Sequence, residues 1–171
     1  MFVSMLRPNL FRPRFLSTAA TKTPAFILTR DHILRAFAPL AETKDAAIRE
    51  RFFTDSIVPD VTWTITGSAH SLAGTRRSLE AHSAASFNKL GQKLRGPIAF
   101  TVTRVIVDAE PGPDGWWACV ETRGEATRST GEPYNNEYVW LTRWNAAGKM
   151  DEVRSYFDTM LSEEVLRGPG G

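Results

Sequence analysis

The second half of the chain alternates apolar and polar residues in four runs, which predicts four β-strands at residues 98–108, 116–127, 133–144 and 150–157. Breaks rich in glycine, proline and other turn residues separate these runs. Between the last two runs, both rich in aromatic residues, lies the short polar segment Asn145-Ala146-Ala147-Gly148-Lys149. The last two strands are therefore predicted to form a long β-hairpin.

In the first half of the chain, apolar residues recur with helical spacing. They predict a helix that begins at Thr29 or Asp31 and is interrupted at Pro39, a second helix over residues 44–57, and a third over 75–94. A short strand at residues 61–65 follows a turn at Pro59-Asp60. Helices followed by an antiparallel run of strands predict an α+β fold, a curved sheet with three helices on one face.

The strand at residues 133–144 carries Asn136, Tyr138, Trp140 and Thr142 on one face. The other face carries Glu137, Val139, Leu141 and Arg143. Neither face is entirely apolar or entirely polar. Aromatic rings and amides that point the same way are typical of a cavity wall, so this strand predicts a pocket.

Composition limits the function classes. The chain has 171 residues, 42% hydrophobic and 11% aromatic, which predicts one globular domain. A single cysteine, Cys119, excludes a disulfide framework, and three scattered histidines make a zinc site unexpected. No apolar run approaches the roughly 20 residues of a membrane-spanning helix, so no membrane span is expected.

Charge separates the N-terminal segment from the rest. Residues 1–30 hold five basic residues and no acidic one, so the remaining residues sum to −3 against +2 for the whole chain. The globular part has no basic stripe, and we expect no nucleic-acid partner. The acid-free, arginine-rich start is typical of a mitochondrial transit peptide, with cleavage after Leu16. The alternative is an untargeted extension in a cytoplasmic protein.

The element order and several motifs resemble a known family. The motifs are Trp63 in the first strand, Gly74 before the third helix, G-x-P-Y from Gly131, and V-R-x-Y-x-D from Val153. They resemble the SnoaL-like polyketide cyclase family within the nuclear transport factor 2-like superfamily, over about residues 29–161. The resemblance implies a cone-shaped sheet whose pocket admits a small apolar molecule, and a homodimer formed through the outer sheet face. Residues 1–25 are then an N-terminal extension, and residues 162–171 a flexible tail.

Two activities of that superfamily do not transfer to this chain. The catalytic positions of ketosteroid isomerases fall on Phe37, Ile65 and Trp140, of which only the Trp140 indole N–H could donate a hydrogen bond. The Asp-Arg-Asp set of limonene epoxide hydrolases falls on Glu121, Arg123 and Ser155. The resemblance therefore gives a pocket but neither of these reactions.

If the strand phase implied by the resemblance holds, a set of side chains faces the pocket. Glu121 and Arg123 share a face, either as an ion pair or with Glu121 as a general base. His82 is either a proton shuttle or a core residue with satisfied hydrogen bonds. The predicted ligand-binding residues are Phe37, Trp63, Ile65, Arg123, Asn136, Tyr138, Trp140, Ser155 and Phe157.

These residues predict a pocket protein that binds or transforms an apolar, oxygenated small molecule. The transformation would be a cofactor-free proton transfer, namely a cyclisation, isomerisation or dehydration, and no cofactor or metal is expected. The alternatives are a non-catalytic ligand-binding module and an assembly role through the outer sheet face, where Arg154, Tyr156 and Asp158 are expected. We expect the mature protein in the mitochondrial matrix.

Overall fold

The computed structural model of the chain describes residues 26–168. In this range six strands form one curved sheet in the order β2-β1-β6-β5-β4-β3. Only β1 and β6 run parallel, and the other neighbours are antiparallel. The strands are β1 (Ile57–Ile65), β2 (Gly74–Arg76), β3 (Ala99–Val107), β4 (Trp116–Thr127), β5 (Pro133–Trp144) and β6 (Met150–Phe157).

Four of the five helices in this range begin at side chains that accept hydrogen bonds from free backbone N–H groups. Thr29, Asp45, Ser78 and Asp158 do this for α1, α2, α3 and α5 respectively. Pro39 lies in a 3₁₀ turn, Ala38–Ala41, between the first two helices. The helices are α1 (Arg30–Phe37), α2 (Ala46–Ser56), α3 (Leu79–Ala85), α4 (Phe87–Gly91) and α5 (Thr159–Arg167).

Hairpin register decides which side chains of β4 and β5 share a face. Thr127 lies opposite Pro133, and the pairing continues without a shift to Trp116 opposite Trp144. Directly opposed residues point to the same side of a sheet. The buried residues of β5, from Tyr134 to Trp144, therefore share the inner face with the even-numbered residues of β4.

The hydrophobic core lies between this inner face and the helices. Trp140 is at its centre, with ring centroids 5.6 Å from Phe37, 5.9 Å from Phe52 and 5.7 Å from Phe100. All three contacts are edge-to-face, the arrangement that aromatic quadrupoles favour. The α+β fold predicted from the sequence, with helices on one face of a curved sheet, is confirmed.

Four elements differ from their predictions. Residues 75 and 76, predicted as the start of the third helix, belong to strand β2, and the helix begins at Leu79 with Ser78 as its cap. The third helix is interrupted at Ser86, whose backbone is not helical, so it forms α3 and α4. The residues predicted as a Pro59-Asp60 turn belong to β1, where the pairing with β6 shifts between Ile57 and Thr62. The predicted flexible tail after residue 161 is wrong as far as Arg167, because α5 covers these residues and buries Ser162 and Val165.

The predicted transit peptide, residues 1–25, lies outside the described residues. None of the helices within residues 26–168 is long and apolar enough to cross a membrane.

Candidate ligand-binding site

A cavity of about 1040 Å³ lies between the inner sheet face and helices α2, α3 and α4. Its lining is mainly apolar, and its volume is at the upper end of the usual range for small-molecule sites. Ile65, Leu72, Phe87, Phe100 and Phe157 contribute apolar surface on several sides. The cavity is therefore large enough for a ligand of several rings.

Trp63 and Trp140 form the aromatic wall of the cavity. Their ring centroids are 5.5 Å apart at an interplanar angle of 65°, and both residues are at most 3% exposed. Phe87 meets the Trp63 ring edge-to-face at 5.5 Å. Both rings also pack edge-to-face against other aromatic rings of the protein, which favours this one orientation.

Ser155 places a hydroxyl group on this wall. Its Oγ accepts a hydrogen bond from the Trp63 indole Nε1–H at 2.8 Å. No residue in the described range accepts the hydroxyl hydrogen of Ser155. The Ser155 side chain lines the cavity, and the residue is only 6% exposed. The hydroxyl hydrogen is therefore free for an acceptor on a ligand.

Tyr138 places a second hydroxyl group on the wall. Its Oη lies 2.9 Å from Oη of Tyr134, which in turn lies 3.0 Å from Oγ of Ser162. Burial and the neighbouring Tyr134 raise the pKa of Tyr138 well above its usual value. Tyr138 is therefore a neutral phenol. Its hydrogen is free for a ligand oxygen when Tyr134 donates to Tyr138; when Tyr134 donates to Ser162, the Tyr138 hydrogen goes to Tyr134 and Tyr138 can only accept from a ligand.

His82 lies beside the cavity but is unsuited to proton transfer. Ser86 Oγ donates to the His82 carbonyl at 2.7 Å and can accept from His82 Nε2–H at 3.0 Å, while His82 Nδ1 has no partner within residues 26–168. Burial, with a smaller contribution from Arg76, lowers the pKa of His82 to about 3. The ring is neutral near pH 7, and its basicity is far below what a general base needs.

The prediction that Glu121 and Arg123 face the pocket is wrong. Glu121 lies opposite Val139, whereas Thr122 lies opposite Tyr138, so the two charged residues point to the outer face. Around this position the inner face of β4 carries Val120 and Thr122, and Thr122, 2% exposed, accepts from Trp140 Nε1–H at 3.1 Å. Glu121 can therefore not serve as a base in the cavity.

Phe37 and Asn136, which were also predicted to bind the ligand, instead make contacts within the protein. Phe37 packs in the core against Phe52 at 5.1 Å and is not part of the cavity lining. The Asn136 amide contacts Tyr134 Oη, Ser162 Oγ and the Asp158 carbonyl, and its Oδ1 accepts from Asp158 N–H. These bonds satisfy the Asn136 side chain, so it is not a ligand contact. Among the predicted residues, the structure places Trp63, Ile65, Tyr138, Trp140, Ser155 and Phe157 in the lining, with His82.

Helix residues in the lining were missed by the sequence analysis. Arg49, Phe53, Leu79, Ser83 and Phe87 all line the cavity. Arg49 and Phe53 are four residues apart, and so are Leu79 and Ser83, which puts each pair on one helix face. This spacing could have identified them, but only if the side of the helix facing the sheet had been known.

Charged residues surround part of the cavity. Glu50, Asp60 and Glu80 are exposed, while Arg49 and Lys149 are half-buried. Within the range that the structure describes, no cluster of three or more histidine, cysteine or acidic residues could hold a metal ion.

Comparison with known proteins gives the fold. No protein-family model matches the chain, and no curated protein matches it significantly in sequence. Among solved structures, a nuclear transport factor 2-like protein of unknown function from Burkholderia pseudomallei is 18% identical, with a TM-score of 0.57, over 80% of this chain and 98% of that one. TerC, co-crystallised with polyporic acid, is 18% identical with a TM-score of 0.57, over 81% and 97% of the two chains.

A provisionally assigned isomerase from Rhodopseudomonas palustris is also 18% identical, with a TM-score of 0.52, and the match covers 83% of this chain and 100% of that one. At these identities the likeness shows the fold alone. The chain has the nuclear transport factor 2-like fold.

Proposed function

We propose that the chain is a SnoaL-like pocket protein that binds an apolar ring compound carrying oxygen atoms. The observation that carries this proposal is the cavity of about 1040 Å³, walled by Trp63 and Trp140 and bearing the hydroxyl groups of Tyr138 and Ser155. Large aromatic surfaces favour flat apolar ligands, and a few placed polar groups select their orientation.

The two hydroxyl groups come from neighbouring strands. Trp140 lies opposite Ser155 and Tyr138 opposite Phe157, so Tyr138 and Ser155 are diagonal neighbours on one face. Diagonal neighbours are roughly 7–8 Å apart at the backbone. Two hydroxyl groups on one wall suit a ligand with two oxygen atoms on one ring system, and Trp63 Nε1–H, already bonded to Ser155, adds no third polar hydrogen.

A matched pair of probes tests this proposal. 4-Hydroxybenzophenone carries two oxygen atoms, and diphenylmethane has the same two rings with none. Calorimetry should show that 4-hydroxybenzophenone binds more tightly than diphenylmethane. In the double variant Tyr138→Phe/Ser155→Ala, the ratio of the two affinities should fall about tenfold. Tyr156→Phe, an exposed tyrosine on the outer face, is the control and should change nothing. Failure of both probes to bind would contradict the proposal.

The natural ligand can be sought directly. Ligands that bind only the folded state raise its stability, by about 2.7 kcal/mol at a hundredfold excess over the dissociation constant. A thermal-shift panel of terpenoids, polyketides, sterols and acyl compounds, together with native mass spectrometry of the purified protein, would give the class.

A second candidate function is cofactor-free proton transfer: cyclisation, isomerisation or dehydration. Tyr138 favours it, because a phenol held neutral by burial can stabilise an oxygen that gains negative charge. His82 and Glu121 do not supply the base, for the reasons given above. Recovery of a bound compound converted to an isomer or to its dehydration product, more slowly in Tyr138→Phe, would favour catalysis over binding.

We also propose a homodimer through the outer sheet face and import into mitochondria. Tyr156, 44% exposed on that face, supports the first. The acid-free, arginine-rich residues 1–25 support the second, and imaging of a C-terminal fluorescent fusion with and without these residues would test it.

A further inference from the structure

Arg49 lies in the cavity wall with its guanidinium group only partly used. On α2, its Nη1 donates to the carbonyl oxygen of Leu40 at 2.7 Å and to that of Glu42 at 3.1 Å. These two bonds take both hydrogens of Nη1 and fix the plane of the guanidinium. Nε–H and the two hydrogens of Nη2 remain.

The remaining hydrogens have no acceptor among residues 26–168, and no carboxylate in that range lies within 4.0 Å of the group. The acidic residues of the cavity do not neutralise it. Burial alone lowers the pKa of Arg49, and no charged neighbour contributes to that shift. An arginine stays protonated in proteins, so the cavity wall holds a half-buried positive charge.

The free Nε–Nη2 edge is the side of arginine that matches a carboxylate with two parallel hydrogen bonds. Phe53 is one helical turn further along α2 and lines the same cavity, so a charged and an apolar side chain of one helix face contribute to the same wall. We infer that Arg49 binds the carboxylate of an amphipathic organic acid whose ring system occupies the cavity. This inference rests on the proposed function and narrows its ligand class.

The test uses biphenyl-4-carboxylic acid and its neutral isostere biphenyl-4-carboxamide, titrated near neutral pH into the full chain by calorimetry. We expect the acid to bind at least about tenfold more tightly than the amide. Arg49→Gln should lower the affinity for the acid to that for the amide, and should leave the affinity for the amide unchanged. Arg49→Lys keeps the charge without the planar edge and should recover only part of the difference.

Arg51→Gln is the matched control. Arg51 lies two residues away on the exposed side of α2, paired with Asp55, and its loss should leave both affinities unchanged. Circular dichroism and the melting temperature would show whether Arg49→Gln is folded. The comparison of acid with amide in the unmodified chain does not depend on any variant.

Equal affinities for acid and amide in the unmodified chain would overturn the inference and leave the proposed pocket function intact. A preference for the acid that persists in Arg49→Gln would also overturn the inference, and would indicate that Lys149 binds the carboxylate instead. Failure of both probes to bind would overturn the inference together with the proposed function.

Discussion

Trp63 and His82 lie face to face, with ring centroids 4.0 Å apart and an interplanar angle of 12°. Each ring is held at its polar edge, Trp63 by Ser155 and His82 by Ser86. The stack thus joins α3 to the sheet at the cavity wall. Its geometry makes His82 a support for the aromatic wall, and this role requires the imidazole to stay neutral.

The pH dependence of stability should report this neutral histidine. The folded-state pKa of His82 is about 3 against an ordinary value of 6.5, so below pH 6.5 the unfolded chain binds a proton that the folded chain does not. Stability from His82 is therefore fully present above pH 6.5 and is lost as the pH falls towards 3. The slope should reach about 1.4 kcal/mol per pH unit, measured by urea unfolding.

Other groups also titrate in this range, so the comparison with His82→Gln is decisive. Glutamine removes the titration, and the variant should lose less stability than the unmodified chain between pH 6.5 and 3.5. Parallel curves for the two proteins would contradict the neutral, buried state of His82. Nitrogen chemical shifts of the ring give an independent measurement of its protonation.

The Trp63–Ser155 bond should contribute to stability as well as to the site. Ser155→Ala leaves the buried indole N–H without an acceptor, which should cost about 1–3 kcal/mol in the free energy of unfolding. In Trp63→Phe the donor is already gone, so the same serine replacement should cost clearly less. A double-mutant cycle that showed independent, additive effects would contradict the bond.

The last three strands of the sheet were predictable because turn residues mark their ends in the sequence, whereas β2 was not predicted and β1 was predicted only over residues 61–65. Glycine-containing turns bound β4, β5 and β6, and the predicted limits of all three match the structure. Turn residues do not predict which side chains of β4 lie on the inner face of the sheet. Their orientation depends on the register of the hairpin, set by the five residues between Thr127 and Pro133, and a shift by one residue reverses every side chain.

The alternation of charged and apolar residues in β4 does indicate the observed orientation of its side chains. Glu121, Arg123 and Glu125 share one face, while Ala118 and Val120 share the other, and charged faces are usually exposed. The resemblance to epoxide hydrolases favoured the opposite phase. The α5 helix was missed although Asp158 can cap it and Leu161 and Val165 are one turn apart, because the glycine-rich end of the chain suggested a tail.

The Asn136 network should matter for the packing of α5 and little for ligand binding directly. Asn136→Leu removes the bonds to Tyr134, Ser162 and Asp158, and should cost about 2–3 kcal/mol in the free energy of unfolding. Hydrogen exchange of the α5 amides should become faster. Asn135→Leu, at the exposed neighbouring position, is the control and should have little effect on either measurement.

If exchange in α5 became faster while the free energy of unfolding stayed the same, the Asn136 side-chain amide would only orient the helix. If Asn136→Leu abolished binding of 4-hydroxybenzophenone without loosening α5, the original prediction of a direct ligand contact would be restored.

The outer sheet face leads to a prediction on assembly. The guanidinium groups of Arg143 and Arg154 lie 5.9 Å and 5.4 Å from the centre of the Trp117 ring, and both bond to Glu152. Tyr156 adds an exposed ring on the same face. Aromatic and arginine side chains of this kind are typical of protein interfaces.

If this face forms the homodimer, Tyr156→Glu should convert the dimer to a monomer, measured by light scattering after size-exclusion chromatography. A new carboxylate on a buried interface would have no partner and would be costly. Because the cavity opens on the other side of the sheet, the affinity for 4-hydroxybenzophenone should not change. Ile48→Glu, an exposed apolar residue on α2 away from the sheet, is the control and should leave the dimer intact. An unmodified chain that is monomeric at micromolar concentrations would rule out this assembly.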